Sequence, residues 1–197
     1  MDDFRKPDFT LPLDLDDRLT QVPADARTKG IIFSSALKKV KAKSGASLGR
    51  GSYSTFTDYP VRELLEVLVE AVGILYPEVP PREGLRRLGQ RVFTDLREST
   101  AGTFLFSVAG RDIFGAIKLV SRAFDLFSSA SGRAEAIDEH NILVELRDSW
   151  TFPEAYQVGV MEGAMQWFGA EGEVLVRPRS ICDVDLKLSM GGGGAHG

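Results

Sequence analysis

The chain has 197 residues, of which 43% are apolar and 26% charged, and its formal net charge is −4. That balance belongs to an ordinary globular protein, with enough chain to bury a core without covalent staples. It disfavours nucleic acid as a partner, the single cysteine excludes an internal disulfide, and no apolar run approaches the ~18 residues of a membrane span.

Residues 1–22 read as an acidic extended arm. Six aspartates outweigh Arg5 and Lys6 by residue 17, and Pro7, Pro12 and Pro23 break helices. Phe4, Phe9, Leu11, Leu13 and Leu15 partly alternate, so the arm is expected to lie along the domain as an edge strand. Its acidity is unlike a secretory signal, and with one cysteine we expect a cytoplasmic protein. Residues 23–190 read as a single domain, and the Gly-rich end, 191–197, as a disordered tail.

Within the domain, helices come first. Ile32, Ala36, Leu37 and Val40 place a helix over 29–43, and residues 44–58 are loop by composition. Leu64, Leu65, Leu68 and Val72 predict a helix over 60–75, with Asp58 or Thr57 as its cap. Pro81 and Glu83 open a helix to about 98, a further helical stretch covers 101–108, and Ile113, Ile117, Val120 and Phe124 mark another. The period then changes. Strands are expected at 133–137, 140–148, 173–180 and 181–189, with a helix at 153–168 between the two pairs. The fold class is therefore α+β: N-terminal helices packed on a four-stranded antiparallel sheet, with a β-β-α-β-β C-terminal end.

Two charge features stand out. From Ala26 to Thr57 there are seven cations and no acid. Arg27, Lys29, Lys38, Lys39, Lys41 and Lys43 are candidate partner-binding residues for an acidic surface or a phosphate-bearing ligand, unless the acidic arm neutralises them. The run lacks interleaved aromatics, which counts further against nucleic acid. On the helix from Pro81, Arg82, Arg86, Arg87 and Arg91 read as i to i+4 pairing on a wet face.

The stretch YQVGVMEGAMQWFG, 156–169, sets Gly159 and Gly163 four apart on one helix face, in line with Tyr156 and Trp167. Each glycine costs a helix interior about 1 kcal/mol relative to alanine. Three uses remain open: close packing onto the flanking strands, room for a small apolar or anionic ligand, or an interface with a second copy. The aromatic group Trp150, Phe152, Tyr156 and Trp167, with Phe104 and Phe106, suits either a core or a pocket wall.

No catalytic set converges. SLGRGSYS, 47–54, lacks the spacing of a phosphate loop. Cys182 falls on the apolar side of its strand, and His140 lies in a turn. Asp183 and Asp185 read as the wet face of the last strand. One cysteine and two histidines offer no metal site, and no cofactor is expected.

VPADARTKGIIFSSAL, FTDYPVRELLEVLVEA, EGLRRLGQRVF and the C-terminal ILVELRDSWTFPEAYQVGVMEGAMQWFGAEGEVLVRPRSICDVDLKLS together resemble a paralogous family of uncharacterised myxobacterial proteins, over roughly residues 20–189. That family is similar in layout to heme-NO-binding-like domains and to small-molecule-binding 4-vinyl reductase domains. The resemblance implies helices followed by an antiparallel sheet with an inserted helix. Heme-NO-binding domains use a helical histidine and a Tyr-x-Ser-x-Arg motif, and neither is present here. From the residues we expect a non-enzymatic protein-interaction module that binds a partner or itself through the basic segment and the glycine-striped helix. The alternative is a small-molecule sensor of heme-NO-binding-like fold, without heme.

Overall fold

The computed structural model describes residues 3–97 and 113–191. A short helix α1 (Leu15–Gln21) precedes strand β1 (Arg27–Lys29), a 3-10 turn (Gly30–Phe33) and helix α2 (Ser34–Ser44). Strand β2 (Asp58–Pro60) leads into α3 (Val61–Leu75), followed by α4 (Pro81–Arg97) and α5 (Ile113–Phe127). The C-terminal part runs β3 (Ser131–Ala136), β4 (Asn141–Arg147), α6 (Tyr156–Trp167), β5 (Gly172–Pro178) and β6 (Val184–Met190).

The four long strands form one antiparallel sheet in the order β3-β4-β6-β5, and β1 pairs with β2 separately. The fold is α+β, with the β-β-α-β-β end expected from the alternation. Register explains the core. Val144 pairs with Leu186, which pairs with Val176, so three apolar side chains line up across the sheet. These residues share one buried cluster with Leu64, Leu68, Leu85 and Leu88 of α3 and α4. Each such side chain contributes about 1.5–3 kcal/mol on burial.

The next row, one residue along, joins Glu145, Asp185 and Arg177 on the opposite face. Here the sequence reading needs correcting. Asp185 is fully buried, not wet, and accepts from Arg147 (2.7 Å), Arg177 (2.9 and 3.0 Å) and Arg179 (2.8 Å). Burial pushes its carboxyl up, but the hydrogen bonds from Arg147, Arg179 and Arg177 win and hold it below the usual carboxylate range.

The arm also departs from expectation, because residues 15–21 are helical. Asp14 caps this helix by accepting from the Asp17 N–H at 2.9 Å. Before it, the chain does meet a sheet edge, at one position: Arg5 and Val176 of β5 exchange both backbone hydrogen bonds. Other boundaries move as well. Residues 27–33, expected in a helix from 29 onward, form β1 and the 3-10 turn. Helix α3 starts after Pro60 with no side-chain cap, because Asp58 sits in β2 and pairs with Lys29 at 2.7 Å. Strand β3 begins at Ser131 instead of 133, and β6 at Val184 instead of 181. The expected helix at 101–108 and the tail beyond Gly191 lie outside the described residues.

Candidate functional site

The glycine stripe has a specific partner, and it is not a strand. A Cβ on Gly159 would sit 2.9 Å from the Arg86 carbonyl carbon, and one on Gly163 2.9 Å from that of Gln90. Both are backbone atoms of α4. From the other side, a Cβ on Gly89 of α4 would lie 3.1 Å from the Val160 nitrogen. Three glycines therefore let α4 and α6 meet backbone to backbone. Gly159 and Gly163 are buried in this contact, against the backbone of α4. Around the crossing, Arg86 reaches Glu162 at 2.7 Å and Arg82 reaches Glu154 at 3.2 Å. Only Arg87 follows the i to i+4 pattern among the described residues of α4, with Glu83 at 2.8 Å.

Tyr156, at the start of that helix, does face a cavity. A space of about 100 Å³ lies between the N-terminal helices and the C-terminal half. Ile32, Val61, Leu64 and Val92 wall it on one side; Phe124, Phe127, Trp150 and Val160 wall it on the other. Tyr156 is buried, which, followed by the nearby charge of Asp95, pushes its hydroxyl pKa far up. It stays a neutral phenol. Two bonds join the halves at the cavity's edge: the Ser129 N–H donates to Arg27 O at 2.8 Å, and Thr28 Oγ1 to Phe127 O at 3.2 Å, a clasp between them.

Of the aromatic group singled out by sequence, Trp150 and Tyr156 line this cavity. Phe152 is fully buried elsewhere, under the Arg18 guanidinium at 4.8 Å. Trp167 is 41% exposed at the far end of α6 and does not join Tyr156. Phe104 and Phe106 lie outside the described residues. Sequence reasoning missed Ser149, Phe127, Ile32 and Val61 as wall residues, because they come from four separate elements and share no local pattern.

The basic segment is largely paired, though not by the acidic arm. Lys29 bonds Asp58, Lys39 bonds Asp95 at 2.7 Å, and Arg50 clamps Glu63 with two bonds of 2.7 and 2.9 Å. Lys43 donates to Leu75 O at 2.6 Å, at the C-terminus of α3, where a cation suits the helix dipole. Arg27 donates to Ala24 O and Ala26 O. Lys38 and Lys41 are exposed, with no partner among the described residues. The arm instead runs toward β5 and the start of α4, with Arg82 donating to Pro12 O and Arg86 over the Phe9 ring.

One metal-like group exists among the described residues: ligand atoms of Asp148, Cys182 and Asp183 lie within 4.8 Å of one another. Their bonds are those of a turn. Asp183 accepts from the Asp148 N–H and from Ser180 Oγ, both at 2.9 Å. Burial pushes the Cys182 thiol up, which makes it a poor ligand and a poor nucleophile.

The architecture is that of an H-NOX domain. The chain superposes on the Fe(II) unliganded H-NOX protein from K. algicida with TM-score 0.62 and 16% identity, covering 85% of this chain and 98% of that one. For a mutant H-NOX from T. tengcongensis the values are 0.62, 14%, 82% and 97%. For the Fe(II)CO H-NOX domain from Shewanella oneidensis they are 0.64, 15%, 84% and 99%. At these identities the likeness is one of fold. By sequence, the chain belongs to the family described as "Protein of unknown function (DUF2378)", whose model matches residues 22–189. No curated protein matches it.

Heme does not fit the residues present. Among the described residues no histidine borders the cavity: His140 is exposed in the turn before β4, and His196 lies outside the described residues. A heme brings two propionates, yet the only charged side chain on the wall among the described residues is the carboxylate Asp148. A space of about 100 Å³ is also well below the ~300–1,000 Å³ that drug-sized ligands occupy.

Proposed function

We propose that this protein is a non-enzymatic sensor module that holds a small apolar molecule, and not heme, between its helical half and its sheet. The observation that carries this reading is the cavity itself. It is walled by apolar side chains from both halves and rimmed by the Arg27–Ser129 clasp, so a ligand there would touch both halves at once. The cytoplasm is the proposed compartment, in keeping with a single, unpaired cysteine. No described helix is long and apolar enough to cross a membrane.

A second reading rests on a separate observation, the exposed and unpaired Lys38 and Lys41 on α2. They offer an acidic protein partner a docking face, with Arg27, Lys29, Lys39 and Lys43 already engaged within the chain. Native mass spectrometry of protein isolated gently from its own cells tests both. A reproducible small-molecule adduct supports the sensor; a bare chain travelling with another protein supports the docking module and refutes the sensor. Added hemin should give no stoichiometric shifted absorption band, and a saturable one would overturn the exclusion of heme.

A further inference from the structure

Several polar side chains on the cavity wall have hydrogen bonds. Thr28 donates to Phe127 O, Ser128 to Phe124 O, and Gln157 to Thr151 Oγ1 at 2.6 Å. Ser149 has none for its hydroxyl. It is 1% exposed, and its Oγ has no partner; it is the one buried side-chain nitrogen or oxygen in that state among the described residues. Native proteins keep few such groups, because a buried hydroxyl without a partner bears its whole desolvation penalty. The residue is nonetheless held in place, since its backbone N–H donates to Cys182 O at 2.8 Å.

Resting on the reading of this cavity as a ligand site, we propose that its ligand is a neutral apolar molecule, no larger than one ring, carrying one hydroxyl or carbonyl that bonds the Ser149 hydroxyl. Three observations converge on that class. The size limit comes from volume: a dry apolar cavity of about 150 Å³ takes benzene, and this one is about 100 Å³. Neutrality comes from the wall, where the sole charge among the described residues is the Asp148 carboxylate and Tyr156 stays protonated, so an anion finds no counter-charge there. The single polar end comes from Ser149, whose Oγ is the one fully buried side-chain nitrogen or oxygen without a partner among the described residues.

The test uses three small molecules of similar shape: cyclobutanol, methylcyclobutane and cyclobutanecarboxylate. Each is titrated by NMR into the full chain and into Ser149→Ala. Wild-type protein is expected to bind the alcohol and the hydrocarbon but not the carboxylate. Ser149→Ala should weaken the alcohol about fivefold and change the hydrocarbon by less than about twofold, the effect of one neutral hydrogen bond. It should also melt no lower than wild type, because it removes an unsatisfied group, and so it controls for folding. Equal alcohol affinity in both proteins, or tighter binding of the carboxylate, overturns the ligand class while leaving the cavity a ligand site. Failure of all three to bind the wild-type chain overturns the cavity reading and this inference together.

Discussion

Replacing Gly159 with alanine tests the helix crossing that positions Tyr156. In an open helix interior this change stabilises, by about 0.8–1.0 kcal/mol of helix propensity. Here the new Cβ would lie 2.9 Å from the Arg86 carbonyl carbon and 3.0 Å from the Gln90 nitrogen, whereas ordinary contact is 3.4–4 Å. These are backbone atoms, so no rotamer change relieves the clash, and α4 and α6 must part. Overpacking of a tight core costs about 1–3 kcal/mol. A rigid backbone neighbour argues for the upper end, leaving a net loss of ~2 kcal/mol after the propensity gain. For a chain of this length that is a melting temperature lower by about 4–8 °C. Gly73 is the internal control, because it is also helical but has nothing within 4 Å of an added Cβ. Gly73→Ala should raise the midpoint by about 2–4 °C. Both variants are read by circular dichroism on heating. If Gly159→Ala rises together with Gly73→Ala, the backbone contact between the two helices is wrong.

Two further perturbations address the buried charges. Asp185→Asn removes the charge shared by three guanidinium groups and should cost ~3 kcal/mol, the low end for breaking a buried pair, because the arginines are themselves partly exposed. Since the folded-state pKa of Asp185 is depressed, its stabilisation is complete above the unfolded value near 3.9 and is lost as pH falls through the folded value. Urea midpoints measured down that acid limb should therefore fall less steeply in the variant, and an unchanged slope would count against the arginine cluster. Arg18→Met loses donors to Trp150 O, Ile181 O and Glu154 Oε1 and should cost ~2–3 kcal/mol, less than the full buried-pair value because Arg82 still bonds Glu154. A shift in Trp150 fluorescence should accompany it; a stability within about 0.5 kcal/mol of wild type, the range of a bland surface change, would refute that role.

Most of the scaffold could be read from periodicity. Helices α3 and α4 and strands β4 to β6 are long and strongly patterned, and their apolar residues sit where the pattern puts them, although β6 starts later than expected and Asp185 is buried. Strands β1 and β2 could not be read, because each has three residues and their pairing joins Arg27 to Pro60, far apart in the chain. Helix α1 hid among prolines, although Asp14 three residues before Asp17 was a usable cap signal. The glycine spacing was legible, but its partner was not, since nothing local distinguishes a strand from Gly89 and the α4 backbone as the surface that needs it. The same limit applied to charge. Composition revealed seven cations without an intervening acid, but not that Asp58, Glu63 and Asp95 would come to meet three of them.

The candidate site is concentrated where pattern reasoning had least to say, in the segment between β4 and α6. Asp148 and Phe152 both take positive φ, 54° and 50°, a conformation that costs a non-glycine residue of order 1–3 kcal/mol. Ser149 adds an unpartnered hydroxyl, another ~1–3 kcal/mol. A segment this unfavourable persists only because its surroundings hold it. Arg18 bonds the Trp150 carbonyl and covers Phe152 from outside, Cys182 O takes the Ser149 N–H, and Asp183 takes that of Asp148. The inner side of the same segment is cavity wall, through Ser149, Trp150 and Thr151. Local rules are broken here and offset from other elements, which is what the reading of this cavity as a site expects. A ligand in the cavity would therefore touch a segment whose backbone Arg18 of α1 also bonds, through Trp150 O.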